Sequence, residues 1–472
     1  MNRSEKMKIL SVGCNVDNEL LSQVMPYIEL IRVKDAAEIN ESHEDVRAVI
    51  WSNAQSLGAG ELQRLSNLRY IVNWGTSRVN IAHDVMYDKK YDLMFIDDYC
   101  WRSVADFAMK LISDSGRYEA GKTKVGIIGL GKVGFSLAQL LLSKGTERIY
   151  YTATQDKELE NMIFMTQKQL LSECDIVVAA TSSPKRISLA GVDNPRLTLI
   201  NLCWNSLFSA AELDKLLLEG KIGNFLSDTE PIQLKSGKAK FFGHIAYRSP
   251  ESIRNKHNKL AYLVKIMLAR DGKLPINLYF LRHGETEKNK KGIYQGREDS
   301  PLTELGRKQA GRSAGFLTTR PIKYVFTSPL GRAKSTADIL SSSLGVKPEV
   351  CDFLAEQNFG ALQGMKKTAA GHKYENFLTR RKASAWYKLY TPYPGGGESY
   401  FDVYNRVHDP YVELLAGLDG DAVFVGHESV NRILRGISKC REPLGMIMDR
   451  QDNDQIVELK LADLSEKVHR FD

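Results

Sequence analysis

Apolar and polar positions alternate between two rhythms along the chain. Between Lys124 and Gly145 the sequence KVGIIGLGKVGFSLAQLLLSKG sets a β-branched apolar run before glycines 129, 131 and 134, then spaces its apolar residues helically. The pattern predicts a strand, a tight turn and an amphipathic helix. RIYYTAT predicts a second strand, and CDIVVAATSS and RLTLINLCWNSLFSAAELDKLLLEGKIGNFLSDTEP add apolar strands with a helix between them. Strands that alternate with helices in this way build a doubly wound parallel sheet. The rhythm restarts in KIMLARDGKLPINLYFLRHGE, where a helical pattern ends near Arg270, Asp-Gly and Pro275 follow, and INLYFL begins a new strand. That strand delivers Arg282 and His283 at its carboxyl end, and a later apolar run, AVFVGH, ends on His427. The expected fold class is α/β throughout.

A chain of 472 residues exceeds what one hydrophobic core organises, so two or three domains are expected. At 43% hydrophobic and 26% charged, the composition is that of a folded globular protein. The net charge of +8 is spread among acidic residues rather than gathered, so small anionic substrates account for it better than nucleic acid does. Runs such as RRK and EKNKK read as solvated surface. Six cysteines lie far apart, without disulfide-like or zinc-like spacing, which predicts free thiols, no metal site and a reducing, cytoplasmic setting. No apolar run is long enough to predict a membrane span.

The glycine series carries chemistry of its own. Gly129 permits the turn, Gly131 lets a pyrophosphate approach the backbone, and Gly134 lets helix pack on strand, which leaves phosphates at a helix N-terminus. The next strand ends near Thr152 without the carboxylate that NAD sites place there, and Arg148 and Lys157 lie close in sequence. NADP or NAD is the expected cofactor, with a lean towards NADP.

With NLRYIVNWGTSRVNI, SVADFAMKLI and GHIAYRSPES added, residues 7–270 resemble the D-isomer-specific 2-hydroxyacid dehydrogenases. The resemblance implies a flavodoxin-like substrate lobe from residues 1–102 and 242–270, around a Rossmann domain at 103–241. It implies that His244 exchanges the substrate's hydroxyl proton while Glu230 holds its ring. It also implies an arginine for the substrate carboxylate, but LINLCWNSLF places Trp204 there, followed by Asn205. An indole cannot form a guanidinium's paired charge-assisted bonds, so the grip would fall elsewhere, for example to Arg102 or Arg248, or the half would bind nucleotide without redox chemistry, or it would be a structural relic.

Residues 271–275 read as a linker to a separate domain at 276–472. LRHGET, YQGREDSPLTELGRKQA, FTSPLGRAKSTA, LAEQNFGALQG, GGGES and VFVGHESVNRILRG occur there in an order that resembles the histidine phosphatase superfamily, which includes the cofactor-dependent phosphoglycerate mutases. Displacement at a phosphate monoester needs a nucleophile, positive charge around the phosphoryl oxygens and an acid for the leaving oxygen. His283 fits the nucleophile, Arg282 and Arg332 the clamp, His427 a donor to the transferring group, and Glu356 the acid. Asn289, Gln295 and Gly296 are expected to line the pocket rim. His372, His408 and His469 read as ordinary structural histidines.

The expected function is therefore a bifunctional enzyme, an NAD(P)-dependent oxidoreductase joined to a cofactor-free phosphomonoesterase for a small phosphorylated metabolite. Two alternatives stay open: a phosphatase with a non-catalytic nucleotide-sensing or dimerisation module, and mutase-like phosphotransfer. LAEQNFGALQG favours the phosphatase, and a homodimer is expected under either reading.

Overall fold

The computed structural model describes residues 6–76, 78, 80–183, 185–203, 207–447 and 451–471. Its contacts divide the chain into two compact units, one running to Asp97 and resuming at Asn255, the other Asp98–Arg254. Three sheets organise it.

The first sheet belongs to the discontinuous unit. β1 (Met7–Val12), β2 (Ile28–Val33), β3 (Ala48–Ser52), β4 (Tyr70–Trp74) and β5 (Asp92–Phe95) lie in the order β2-β1-β3-β4-β5, all parallel. This is the flavodoxin-like order expected from the sequence. β3 and β4 are buried at every position, as apolar strands covered on both faces must be.

The second unit holds seven parallel strands, β6 (Val125–Ile128), β7 (Ile149–Thr152), β8 (Met162–Phe164), β9 (Ile176–Ala179), β10 (Asn194–Asn201), β11 (Ile222–Ser227) and β12 (Ala239–Phe241). Their order is β12-β11-β10-β9-β6-β7-β8. The chain reverses direction between β6 and β9, the switch point at which doubly wound sheets place their ligands.

The third sheet returns to the discontinuous unit. β13 (Asn277–Arg282), β14 (Ile322–Thr327), β15 (Pro348–Val350), β16 (Asp421–Gly426), β17 (Gln455–Lys460) and β18 (Glu466–Arg470) lie in the order β15-β14-β16-β13-β17-β18. β13 pairs parallel with β16 and antiparallel with β17, so the sheet is mixed. The β13–β16 register sets Arg282 opposite Gly426, which brings His283 and His427 to one edge despite 144 positions between them.

The helix Pro250–Arg270 is buried at every residue from Lys256 to Ala269, including Lys256, Lys259 and Lys265. Such lysines need acceptors. Lys265 Nζ donates to the Leu418 carbonyl (2.5 Å) and the Tyr262 hydroxyl to that of Ser438 (2.6 Å). Where the sequence reads as a linker, the Asp271 carboxylate instead accepts from Arg47 Nε (2.9 Å), Arg69 Nη1 (3.4 Å) and the Tyr70 hydroxyl (2.7 Å). The first and third sheets therefore share one compact unit, and the segment between them is tied down by charge.

Candidate active site

β13 ends on Arg282, and the ladder continues one residue further through the His283 N–H, which donates to the Gly426 carbonyl (3.0 Å). The turn after it is tight because a Cβ on Gly284 would stand 2.3 Å from the Gly306 carbonyl oxygen. That turn fixes the imidazole. His283 Nδ1 lies 2.8 Å from the Gly284 carbonyl, an acceptor only, so Nδ1 carries the proton and Nε2 the lone pair. The lone pair accepts from Arg332 Nε (3.1 Å).

Arg332 opens the helix Gly331–Leu344, whose N-cap, Leu330, offers no side-chain acceptor. Asp299 caps the helix instead, accepting from the backbone N–H of Gly331 (2.6 Å) and Arg332 (3.2 Å). The guanidinium is only 2% exposed; Nη1 donates to the Glu298 carbonyl (2.8 Å), and Nη2 to the Gly296 carbonyl (2.7 Å) and His427 Nδ1 (3.3 Å). With Nδ1 accepting, His427 carries its proton on Nε2 and donates to Ser328 Oγ (2.7 Å). The two imidazole centroids stand 5.2 Å apart.

Electrostatics follow from this enclosure. Burial first, then the Arg332 and Arg282 charges, hold His283 well below the ordinary imidazole range. His427 is lowered in the same way, by burial, Arg332 and His283. Glu356 shifts in the opposite sense, because burial raises its carboxyl more than the Gln357 N–H (2.8 Å) and the nearby Arg332 lower it. The arrangement thus holds two neutral imidazoles and one easily protonated carboxyl among arginines. Among the described residues Arg282 Nε is buried with no hydrogen-bond partner, and its Nη1 stands 3.6 Å from Glu428 Oε2.

Of the expected rim residues, Gln295 is buried with Oε1 unpartnered among the described residues, and Gly296, at φ +56°, turns its carbonyl onto Arg332. Asn289 does structural work: its Oδ1 accepts from the Thr286 N–H and hydroxyl to close a capping box on Glu287–Lys290. The sequence reading missed Ser328, Glu398, Arg406 and Glu428. Arg406 donates to Glu398 (2.8 Å) and to the Phe353 and Ala355 carbonyls, while Glu398 accepts from the Asn358 N–H (2.8 Å), so the pair fixes the Glu356 loop. The signal was available, since Glu398 lies in GGGES and Ser328 in FTSPLG.

In the Asp98–Arg254 unit the glycine turn is built as its spacing implies. Gly129 has φ +96°, and its Cβ would meet the Ala180 carbonyl oxygen at 2.6 Å; on Gly134 a Cβ would stand 2.1 Å from the Gly129 carbonyl oxygen. A Cβ on Gly131 meets nothing within 4 Å, so the backbone there is open to a ligand at the start of the helix Lys132–Ser143. The Thr152 carbonyl accepts from the Gly129 N–H (2.9 Å). These residues fit a dinucleotide's pyrophosphate. Lys132 pairs with Asp98, and buried Lys157 donates to the Leu130 carbonyl (2.5 Å), with its ammonium lowered by burial to about 8.

His244 and Glu230 do not meet as the resemblance implies. His244 has φ +54°, and its Nδ1 lies 3.1 Å from the Asp228 backbone carbonyl. The Asp228 carboxylate takes the Ile245 and Ala246 N–H groups (2.7 and 3.1 Å). Glu230 is exposed and makes no hydrogen bond to the ring. The reason is local: Asp228 directly follows β11, and the left-handed turn at Gly243–His244 folds the imidazole onto it. Arg248 is exposed, its Nε donating to the Tyr247 hydroxyl (3.4 Å), while Arg102 lies over the Trp101 ring (4.8 Å). Trp204 and Asn205 lie outside the described residues.

Comparison with known proteins finds relatives for both parts of the chain. Residues 278–471 match the histidine phosphatase superfamily (branch 1), and residues 108–239 match the NAD binding domain of D-isomer specific 2-hydroxyacid dehydrogenases. A 2,3-bisphosphoglycerate-dependent phosphoglycerate mutase from Sinorhizobium fredii is 33% identical over 192 residues, covering 39% of this chain and 85% of that protein. The chain belongs to the histidine phosphatase superfamily through its C-terminal part, which is fused behind a 2-hydroxyacid dehydrogenase NAD-binding domain. A bifunctional protein of Mycobacterium tuberculosis is 37% identical over 152 residues, 32% of this chain and 40% of that one, so the chain spans less than half of its length. An NADPH-dependent glyoxylate/hydroxypyruvate reductase from Sinorhizobium meliloti aligns with 56% of this chain and 93% of its own at 18% identity and a TM-score of 0.47. Among the described residues no helix is long and apolar enough to cross a membrane, and no cluster of His, Cys, Asp and Glu could hold a metal.

Proposed function

We propose that the chain is a bifunctional enzyme whose C-terminal part hydrolyses a small phosphomonoester through a phosphohistidine, and whose N-terminal part reduces or oxidises a related hydroxy acid with NADP or NAD. The observation that carries the phosphatase reading is the direct contact of Arg332 with both His283 and His427. When a phosphoryl group enters, Arg332 turns its N–H groups from the imidazoles to the phosphoryl oxygens, and Arg282 adds its unpartnered Nε–H. His283 Nε2 then attacks phosphorus, the ester P–O bond breaks, and the leaving oxygen takes the Glu356 proton. The Gly284 carbonyl holds Nδ1–H throughout and steadies the phosphoimidazole. Water next attacks phosphorus and gives its proton to Glu356, so phosphate leaves and both side chains return to their starting states.

Residue by residue, Gly131 and the N–H groups that open Lys132–Ser143 would hold the dinucleotide's pyrophosphate. The strand end at Thr152, without a carboxylate, supports NADP over NAD. A nicotinamide held there would supply or take the hydride. His244, held through Nδ1 by Asp228, presents Nε2 for the hydroxyl proton. Fusion keeps the product of one site near the other.

Two other readings have support. The exposed Glu230 favours a nucleotide-sensing or dimerising module, and the Sinorhizobium fredii relative favours mutase chemistry. The test is a panel of phosphorylated metabolites offered to the wild type and His283→Ala, alongside NAD(P)H absorbance with hydroxy and keto acids. Phosphate release that survives His283→Ala removes the phosphohistidine, phosphate release without any absorbance change leaves the sensor reading, and label moving between positions of one substrate indicates the mutase. Sedimentation at micromolar protein checks the homodimer.

A further inference from the structure

We propose that Glu428 is a positioning residue of the phosphoryl site: its carboxylate holds Arg282 beside His283 and sets a negative charge facing Glu356. Under the phosphatase reading, on which this role rests, Glu356 must reach the reaction protonated, and Glu428 helps to keep it so. Glu428 directly follows His427 and opens the helix Glu428–Ser438. An acid in a first turn suits the helix dipole, and Oε1 also accepts from Nη2 of Arg432, one turn on (2.5 Å). Helix stability accounts for both features. It does not account for Oε2, which stands 3.6 Å from Nη1 of Arg282 at the end of β13, on the edge where His283 and His427 meet. The side chains of Arg282 and Arg432 are 19% and 6% exposed, so these contacts lie largely out of water and hold more firmly than surface pairs do. Glu428 takes Nη1 and leaves the buried Nε of Arg282, without a hydrogen-bond partner among the described residues, for a phosphoryl oxygen.

A carboxylate inside an anion site repels the ligand, so it weakens binding unless it serves the chemistry. Its service lies with Glu356. That carboxyl faces Arg332 from the helix Gly331–Leu344, Arg282 from β13, and Glu428 and Arg432 from the helix that Glu428 opens. Arg406, from the helix Tyr400–Gly417, donates to its backbone carbonyl (3.2 Å), and the His283 and His427 rings stand neutral. Left to themselves, guanidiniums so placed would hold Glu356 ionised and useless to a leaving oxygen. Burial opposes them first, and the Glu428 charge adds to burial, so the carboxyl rises above its ordinary range despite the Gln357 N–H and the arginines. One carboxylate thus stays charged against Arg282 and Arg432 while the other keeps its proton, the division of labour expected of two carboxyls set among shared cations.

The experiment compares pH profiles of kcat/KM for the wild type, Glu428→Gln and Glu428→Asp. Glycerol 3-phosphate serves as the substrate whose leaving oxygen needs a proton, and p-nitrophenyl phosphate as the one whose leaving oxygen does not. Without the Glu428 charge Glu356 gives up its proton more readily, so with glycerol 3-phosphate the alkaline limb of Glu428→Gln should move to lower pH. On that limb the variant should fall about threefold or more below the wild type, while p-nitrophenyl phosphate changes by less than about twofold. Glu428→Asp keeps the charge and should return the limb towards its wild-type position. A limb unmoved in Glu428→Gln, or an equal fall with both substrates at every pH, overturns the role and leaves the phosphatase. A limb lost in Glu428→Gln but kept in Glu356→Gln overturns it too, because Glu428 would then be the acid. Absence of wild-type turnover with both compounds overturns the phosphatase reading and this role with it.

Discussion

The two histidines that matter most in this chain are held in opposite ways. His283 is buried, fixed at Nδ1 by the carbonyl of the next residue and met at Nε2 by Arg332. His244 is partly exposed, sits on a left-handed turn and donates from Nδ1 to the Asp228 backbone carbonyl. Around His283 the side chains that chemistry requires touch one another; around His244 the expected glutamate stands away. A site whose members hold each other is preorganised before ligand arrives, whereas at His244 the glutamate that the resemblance implies does not hold the ring.

Substitution at His283 should therefore have the largest effect. His283→Ala is expected to lower phosphomonoesterase kcat by about 10⁴-fold or more, as loss of a nucleophile does. It should leave NAD(P)H oxidation at the wild-type rate. Quenched samples of the wild type given radiolabelled substrate should retain acid-labile label that the variant lacks. If the variant also loses nucleotide-dependent activity, the two sites are not independent.

Glu356→Gln comes next, with a fall of about 10²- to 10³-fold for substrates with poor leaving groups and a smaller one for p-nitrophenyl phosphate. Its pH profile carries more information. The proposed reaction needs His283 neutral and Glu356 protonated together, which ordinary values would rarely allow because imidazole titrates above carboxyl. Here burial and the arginines lower His283, and burial raises Glu356, so the two ranges approach or cross. The acid limb of kcat/KM should lie below the usual histidine range and the alkaline limb above the usual glutamate range. In Glu356→Gln the alkaline limb should disappear.

What the sequence made legible follows the same contrast. INLYFL and AVFVGH are apolar enough to be read as β13 and β16, and once they pair in parallel, His283 and His427 must meet. The glycine turn was equally legible, because φ +96° at Gly129 and the close approach at Gly134 demand glycine. Contacts with no local pattern were not. Asp228 in place of Glu230 depends on the conformation of a turn, and Arg406 reaches the Glu356 loop from 50 positions away. The helix Pro250–Arg270 hid its burial behind lysines whose acceptors lie far off in sequence, the Trp74 and Leu418 carbonyls for Lys256 and Lys265 and the Cys440 sulfur for Lys259. The supposed linker after it was read from Asp-Gly and Pro275, and the partners that hold Asp271, Arg47, Arg69 and Tyr70, lie too far off in sequence to show in that pattern.

A milder change probes the nucleotide side of the comparison. Gly131→Asp meets no atom within 4 Å of the new Cβ, so the fold should tolerate it. The carboxylate would face the pyrophosphate, however, and NADPH affinity by fluorescence titration should fall about tenfold or more. Phosphatase activity should stay at the wild-type level; if it falls as well, nucleotide binding and phosphate chemistry communicate.

The smallest effect is expected at Asp271, which binds the two sheets of the discontinuous unit. Its backbone N–H continues the helix by donating to the Met267 carbonyl (3.0 Å), so its charge sits at the unfavourable end of the helix dipole. Burial also opposes the ionised carboxyl, yet hydrogen bonds from Arg47 and Tyr70 and the Arg69 charge outweigh both and leave it below the ordinary carboxylate range. Asp271→Ala should cost about 1–2 kcal/mol, because Arg47 and Arg69 remain partly in water. The sign with pH is fixed by that depression. The stabilisation is fully present above the unfolded carboxyl's value near ~4 and is lost as pH falls through the lower folded one. Urea midpoints of wild type and variant should differ at pH 7 and converge in acid; a gap that persists there would mean that Asp271 acts through packing rather than charge.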